Sequence, residues 1–204
     1  IRKPELIVVL LIFAIASKFY HAPRYPEART YGRFAILFPA YKEDQVIVSS
    51  VRSFLQQDYP SEKFDIIVIS DQMKPATNEE LRSLPISLLI VNYTESSKAR
   101  ALNTAINSIE GEGYDGIIIM DADNLTIPSF LSEINKAFNS GIRSLQAHRT
   151  GKNLNTSISL LDSISEEINN GFFRSGHNAL GLSAGLSGSG MAFHAEWFRQ
   201  NVKL

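Results

Sequence analysis

An α/β fold with a mostly parallel sheet flanked by helices is the architecture this chain predicts, and three observations carry the prediction. Four apolar runs, "RFAILFPAY", "FDIIVIS", "ISLLIV" and "YDGIIIM", recur between Arg33 and Met120. Segments with helical apolar spacing separate them. None of the runs alternates apolar with polar residues, as a strand with one wet face would, so both faces of the sheet are expected to be covered.

The bulk numbers agree with one folded domain. The chain has 204 residues, enough for one sizeable core, and 44% of them are hydrophobic. A formal net charge of -1 supplies no field that would draw nucleic acid. There are no cysteines, which excludes a disulfide framework, a cysteine zinc site and a thiol nucleophile.

The first element is "LIVVLLIFAIA", Leu6 to Ala16, uncharged and preceded by Arg2 and Lys3. It is shorter than the ~20 residues of a bilayer span, and no small-residue cleavage pattern follows it. We read residues 1–20 as part of a membrane helix whose upstream end is missing. Tyr20 and Tyr25 would sit at the interface, with Lys18, Arg24, Arg29 and Arg33 on the cytoplasmic side. The competing reading is a buried helix. Residues 21–32, with Pro23, Pro26 and Gly32, read as a linker, and 33–204 as the main domain.

"RFAILFPAY" is the first strand. The segment from Glu43 to Pro60 follows as a helix, with Val46, Val48, Val51, Phe54 and Leu55 apolar. "FDIIVIS" is the second strand and runs into Asp71. A loop with Pro75 and a short helix near Asn78–Ser83 lead to "ISLLIV", the third. "SSKARALNTAINSIEG" is a helix with Ala99, Leu102, Ile106 and Ile109 on one stripe, Ser96 or Ser97 as cap and Gly111 as stop. "YDGIIIM" is the fourth strand. "IPSFLSEINKAFNSG" is a helix between Pro128 and Gly141, and "RSLQA" a fifth strand. From Asn153, a long amphipathic helix with Leu154, Ile158, Leu161, Ile164 and Ile168 on one stripe is expected. The Gly/Ser-rich "GHNALGLSAGLSGSGMAF" then forms a loop and a short strand, and "HAEWFRQ" opens a last helix.

In such a sheet ligands bind beyond the carboxyl ends of the strands. Pro39 to Glu43, Asp71, and Asp121 to Asp123 should therefore share one edge. The fourth strand runs straight into "DAD". Two carboxylates one residue apart can face a hard cation, which accepts one or two of them and completes its shell with water and phosphate oxygens. Taken alone, the tripeptide is more often a turn, because Asp bonds its own backbone. Lys98 opens a helix whose N-terminus suits an anion. There is no P-loop and no G-x-G-x-x-G after the first strand, and the four histidines form no H-E-x-x-H.

In order and spacing, "FPAYKED", "ISD", "SSKARALN", "IIIMDADN" and "GLSGSGMAFHAEWF" resemble the glycosyltransferases of family 2, with the GT-A fold, over about residues 33–198. The resemblance implies that Pro39, Ala40, Tyr41 and Glu43 line a nucleotide pocket, that Asp71 meets the base or ribose, and that Lys98 lies near the diphosphate. It implies Asp121 near the ribose or sugar and Asp123 as ligand of Mn²⁺ or Mg²⁺, with Gly188, Ser189 and Gly190 on the acceptor side. The implied activity is inverting transfer from a nucleotide-sugar, UDP-linked in the first instance, to the hydroxyl of a saccharide or lipid-linked acceptor. The apolar N-terminus points to the membrane-associated, polysaccharide-synthesising branch, with the catalytic domain cytoplasmic. The family's later acidic base and its Gln-x-x-Arg-Trp motif do not occur in the chain, so a C-terminal truncation is expected, with the base beyond Leu204 and Trp197 and Phe198 lacking apolar partners. Glu196 has no mark of a base, and Glu166 and Glu167 read as a solvated helix face. Two other readings stay open: a non-catalytic nucleotide-sugar-binding or partner-binding fragment, and a nucleotidyltransferase, which usually carries a Gly-rich signature near its first strand.

Overall fold

The computed structural model describes residues 3–150, 165, 168, 170, 174–186 and 188–203. The chain forms two compact units, Ile1–Arg24 with Ala147–Ser187, and Tyr25–Gln146 with Gly188–Leu204.

The second unit holds the sheet. Its elements in chain order are β1 (Phe34–Tyr41), a helix (Ile47–Phe54), a 3-10 turn (Ser61–Lys63), β2 (Phe64–Asp71) and a helix (Pro75–Arg82). Then come β3 (Ser87–Val91), a helix (Lys98–Ser108), β4 (Gly116–Ile119), a helix (Phe130–Asn139), β5 (Ser144–Gln146), β6 (Met191–His194) and a last helix (Ala195–Asn201). With the first unit's helix at Lys3–Ser17 as α1, the helices at 47, 75, 98 and 130 are α2 to α5. The short Gly176–Ala179 helix is α6 and the last is α7.

The strand order is β3-β2-β1-β4-β6-β5. β1 pairs in parallel with β2 and β4, and β2 with β3. β6 pairs antiparallel with both β4 and β5. The sheet is therefore mixed: five strands run one way, as a mostly parallel sheet requires, and β6 alone is reversed. The cause is where β6 begins: Met191 lies opposite Ile119 at the end of β4, so the strand can only run back toward Gly116.

β1, β2 and β4 are buried on both faces, as continuous apolar runs require. On one side Phe34, Ile36 and Phe38 pack with Phe54, Ile66, Ile118 and Leu131. Fully burying side chains of this size stabilises by roughly 1.5–3 kcal/mol each. α4 covers β1 and β2. Its buried residues are Ala101, Leu102 and Ala105, with Ile109 at its end, while Ala99 is exposed. The face is turned from the expected stripe toward two small residues, Ala101 and Ala105. β3 is half exposed, since it is the sheet's edge. α3 starts at Pro75, earlier than expected, because proline suits a helix's first turn.

In the first unit the Phe13 ring of α1 stacks on His177 at 4.1 Å. A Cβ on Gly176 would come within 2.6 Å of the Phe13 carbonyl oxygen, so this approach needs glycine. α1 has 15 residues and is about 22 Å long, against ~30 Å of bilayer hydrocarbon. No helix among the described residues is long and apolar enough to cross a membrane. That overturns the N-terminal membrane helix, and with it the membrane-associated branch, the membrane partner and the membrane localisation built on it. The expectation that Trp197 and Phe198 lack apolar partners is corrected as well. Phe198 is buried, with Phe193 at 5.1 Å, and Trp197 stacks on Phe193 at 6.2 Å. Most of the amphipathic helix expected from Asn153, including Glu166 and Glu167, lies outside the described residues.

Candidate functional site

The parallel register brings the expected edge together. Tyr41 lies beside Asp71, and Asp71 beside Val91. Leu37 lies beside Ile119, and the Met120 amide extends that ladder by donating to the Leu37 carbonyl at 2.9 Å. Just beyond β1 and β2 the backbone turns left-handed at two non-glycine residues, Lys42 (φ 56) and Gln72 (φ 53). Such positions are uncommon and concentrate at functional sites. The two are coupled, because the Lys42 amide donates to the Asp71 carbonyl at 3.2 Å.

A cavity of about 420 Å³ opens along this edge. Pro39, Ala40, Tyr41 and Glu43 line it from the first strand and the loop after it. Asp71 enters from β2, Lys98 from the start of α4, and Asp121 and Asp123 from the end of β4. All eight residues expected at the donor and metal positions thus share one cavity. Ser96, Ser97, Ala101 and Ala122 line it as well. The sequence marks Ser96 and Ser97 only as possible caps. That signal is enough to place them at the cavity once the helix N-terminus is known to point there.

Neighbouring hydrogen bonds fix most of these groups. Ser97 caps α4, its hydroxyl accepting from the Arg100 amide at 3.2 Å. The loop carrying Glu43 is tied to α3 through Asp44, which accepts from the Thr77 hydroxyl at 2.6 Å and the Lys74 amide at 2.8 Å. The Thr77 bond, ahead of the Lys74 contacts, holds the Asp44 carboxyl below its usual range despite partial desolvation. Asp71 is 3% exposed and accepts from the Tyr93 amide at 3.4 Å. Beyond Asp123 the chain is clamped by Gln57, which donates to Thr126 and to the Ile127 carbonyl and accepts from the Leu131 amide.

Lys98 forms an ion pair with Asp121 and donates to the Gly188 carbonyl at 3.0 Å. Ser189 is buried, and its hydroxyl accepts from the Asp121 amide at 2.7 Å. Gly188 and Gly190 therefore flank a residue packed against the end of β4. Glu196 lies at the opposite edge, since the Ala195 amide donates to Asp115 before β4 begins.

Among the described residues, the Ser96 hydroxyl and the Asp123 carboxylate are two of the cavity's groups without partners. The Ser96 hydroxyl oxygen is buried with no hydrogen bond. Asp123 is exposed, and no hydrogen bond or ion pair engages its carboxylate among the described residues. A buried unsatisfied hydroxyl is costly, so a phosphate-bearing ligand would relieve a real penalty. For a divalent cation the donor set fits: Asp123 is available, Asp121 adjoins it, and phosphate and water oxygens complete such a shell. No group of three or more His, Cys, Asp or Glu residues is gathered among the described residues, so any cation here would rely on those outside oxygens.

Comparison with known proteins supplies the family. Residues 32–202 match the family model described as "Glycosyltransferase like family 2", and the chain belongs to that family. No curated protein matches it in sequence. Among solved structures it is similar to the mannosyltransferase PcManGT from Pyrobaculum calidifontis, in complex with GDP-Man and Mn²⁺. That likeness has a TM-score of 0.70 and 19% identity, and covers 95% of this chain and 54% of that one. It is similar to glucosyl-3-phosphoglycerate synthase from Mycobacterium tuberculosis, in complex with Mn²⁺, UDP and glucosyl-3-phosphoglycerate, with a TM-score of 0.56 and 18% identity over 88% and 64% of the two chains. S. aureus TarS 1-349 in complex with UDP-GlcNAc gives a TM-score of 0.56 and 16% identity over 83% and 47%. At these identities the likeness shows a common fold, the GT-A-like mixed sheet. The chain spans about half the length of the mannosyltransferase and of TarS 1-349.

Proposed function

We propose that the chain transfers a sugar from a nucleoside-diphosphate sugar, UDP-linked in the first instance, to an acceptor hydroxyl with inversion, using Mn²⁺ or Mg²⁺. The observation that carries this reading is the single cavity that gathers Asp71, Lys98, Asp121 and Asp123. The family and the fold support it, and solved neighbours carry UDP or GDP-mannose, some with Mn²⁺.

In this reading Pro39, Ala40, Tyr41, Glu43 and Asp71 hold the nucleoside. The start of α4 faces the diphosphate with Ser96, Ser97, its free amides and the Lys98 ammonium, all of which favour negative charge. Asp121 faces the ribose or sugar, and Asp123 holds the cation. The cation, when bound, supplies charge stabilisation for the departing diphosphate. Lys98 supplies the same kind of stabilisation from the chain itself, already held near that position by Asp121 and Gly188.

Titration calorimetry of UDP and GDP, with and without Mn²⁺, tests the reading. UDP is expected to bind the parent chain more tightly with Mn²⁺, and Asp123→Asn to lose that gain while its stability stays within about 0.5 kcal/mol. Equal cation dependence in parent and variant would remove Asp123 from the cation site, and preferential GDP binding would reassign the base. The anomeric configuration of the transfer product, read by NMR, decides inversion.

A further inference from the structure

We infer that Ser189 is a positioning residue for the Asp121–Asp123 segment, an inference that rests on the donor-site reading above. Its place in the ladder is the starting point. The Met120 amide is taken by β1, through the Leu37 carbonyl. Successive amides of a strand point to opposite neighbours, so the Asp121 amide faces β6. The last backbone bond on that side runs from the Gly190 amide to the Ile119 carbonyl at 2.9 Å.

Beyond that bond the chain turns away at Gly190 (φ 73) and Gly188 (φ 75), both left-handed. Among the described residues no main-chain carbonyl continues the ladder to the Asp121 amide. The Ser189 hydroxyl takes that place, accepting from it at 2.7 Å. Ser189 is 1% exposed, and its carbonyl accepts from the Gln146 side chain at 2.6 Å, so the hydroxyl is presented from a fixed backbone. The neighbouring Gly188 carbonyl holds Lys98, which is paired in turn with the Asp121 carboxylate. One three-residue segment thus anchors both the main chain of Asp121 and the counter-ion of its side chain. This assigns Ser189 a role behind the carboxylates, in addition to the acceptor-side place expected from the sequence. Through Asp121 it sets where Asp123, two residues on, meets a cation.

The experiment compares the parent with Ser189→Ala and Ser189→Thr, the second of which keeps a hydroxyl. It reads Asp121 amide exchange by NMR, and the affinities for UDP with and without Mn²⁺ and for uridine. In Ser189→Ala the Asp121 amide is expected to exchange about tenfold faster, and the Mn²⁺-dependent gain in UDP affinity to shrink about tenfold, the scale of one hydrogen bond. Uridine affinity should stay within about twofold, because the nucleoside contacts lie elsewhere in the cavity. Ser189→Thr should return both readouts toward the parent. Unchanged exchange, an unchanged Mn²⁺ gain, or an equal loss for uridine would overturn the inference while leaving the donor reading intact. A parent chain with no Mn²⁺-dependent UDP binding would overturn the donor reading, and this inference with it.

Discussion

Where β1, β2 and β4 begin, charged and polar groups are spent on one another; where they end, several are held back. At the first edge Arg33 donates to Asp65 at 2.9 Å and to the Glu112 carbonyl at 2.6 Å, and its guanidinium stacks over Tyr114. Tyr114 donates to the same Asp65 oxygen at 2.9 Å, and the Arg33 amide donates to Asp115 at 2.8 Å. Burial, and then the Asp65 carboxylate beside it, keeps the Tyr114 phenol protonated well above its usual range. At the other edge Asp123 has no partner among the described residues and the Ser96 hydroxyl is buried without one. The same three strands thus carry a mutually satisfied end, which serves the fold, and an under-satisfied end, where the proposed ligand would find its partners.

The largest effect expected from this contrast is on binding. Lys98→Ala should weaken UDP by roughly 1.5–3 kcal/mol, the scale of a charge-assisted hydrogen bond, and uridine much less. Calorimetry with the two ligands checks it; equal losses would mean that the start of α4 is damaged and that Lys98 belongs with the fold. The converse substitution at the other edge is Asp65→Ala. It should cost about 1–2 kcal/mol of stability in urea, discounted because both partners are about a third exposed or more, and leave UDP affinity unchanged. A binding defect there would erase the distinction between the two ends.

The smallest effect concerns Asp44, a satisfied carboxylate on the ligand side. Its folded-state value is lowered, so it contributes stability above the usual carboxylate range, and that contribution fades as pH falls through the lowered folded value. The melting-temperature gap between the parent and Asp44→Asn, its neutral isostere, should therefore be present near pH 7 and close below about pH 4. A gap that persists in acid would show that hydrogen-bond geometry, and not charge, ties this loop.

The strands around the site were legible because each is a continuous apolar run that stops at a polar residue, as at Ile69–Asp71 and Ile119–Asp121. The edge was legible because parallel register forces those stops into line. The reversal of β6, the one strand of the six that runs against the others, was hidden. β5 and β6 have three and four residues, and nothing local in "SLQ" or "MAFH" states a direction. The buried face of α4 was misread because alanine is a weak apolar signal, although Ala101 and Ala105 are both buried. The apolar run of α1 resembled a membrane segment by composition, and its 15 residues fall short of one. The partnership of Asp121 with Ser189 spans 68 positions, which no short pattern can announce.

The strand order also sets a schedule for assembly on the ribosome. β1, β2 and β3 are neighbours in both chain and sheet, and nascent chains fold from the N-terminus. By the time Asp123 has been translated, every carboxylate of the cavity exists, yet β4 still has an open edge, because its outer neighbour begins at Met191. An open strand edge is a template for mispairing between chains. The segment from Gly188 onward therefore covers the open edge of β4 and, through Gly188 and Ser189, anchors Lys98 and Asp121 only late in synthesis. A chain stalled between those points would carry the carboxylates of the cavity beside an uncovered strand edge.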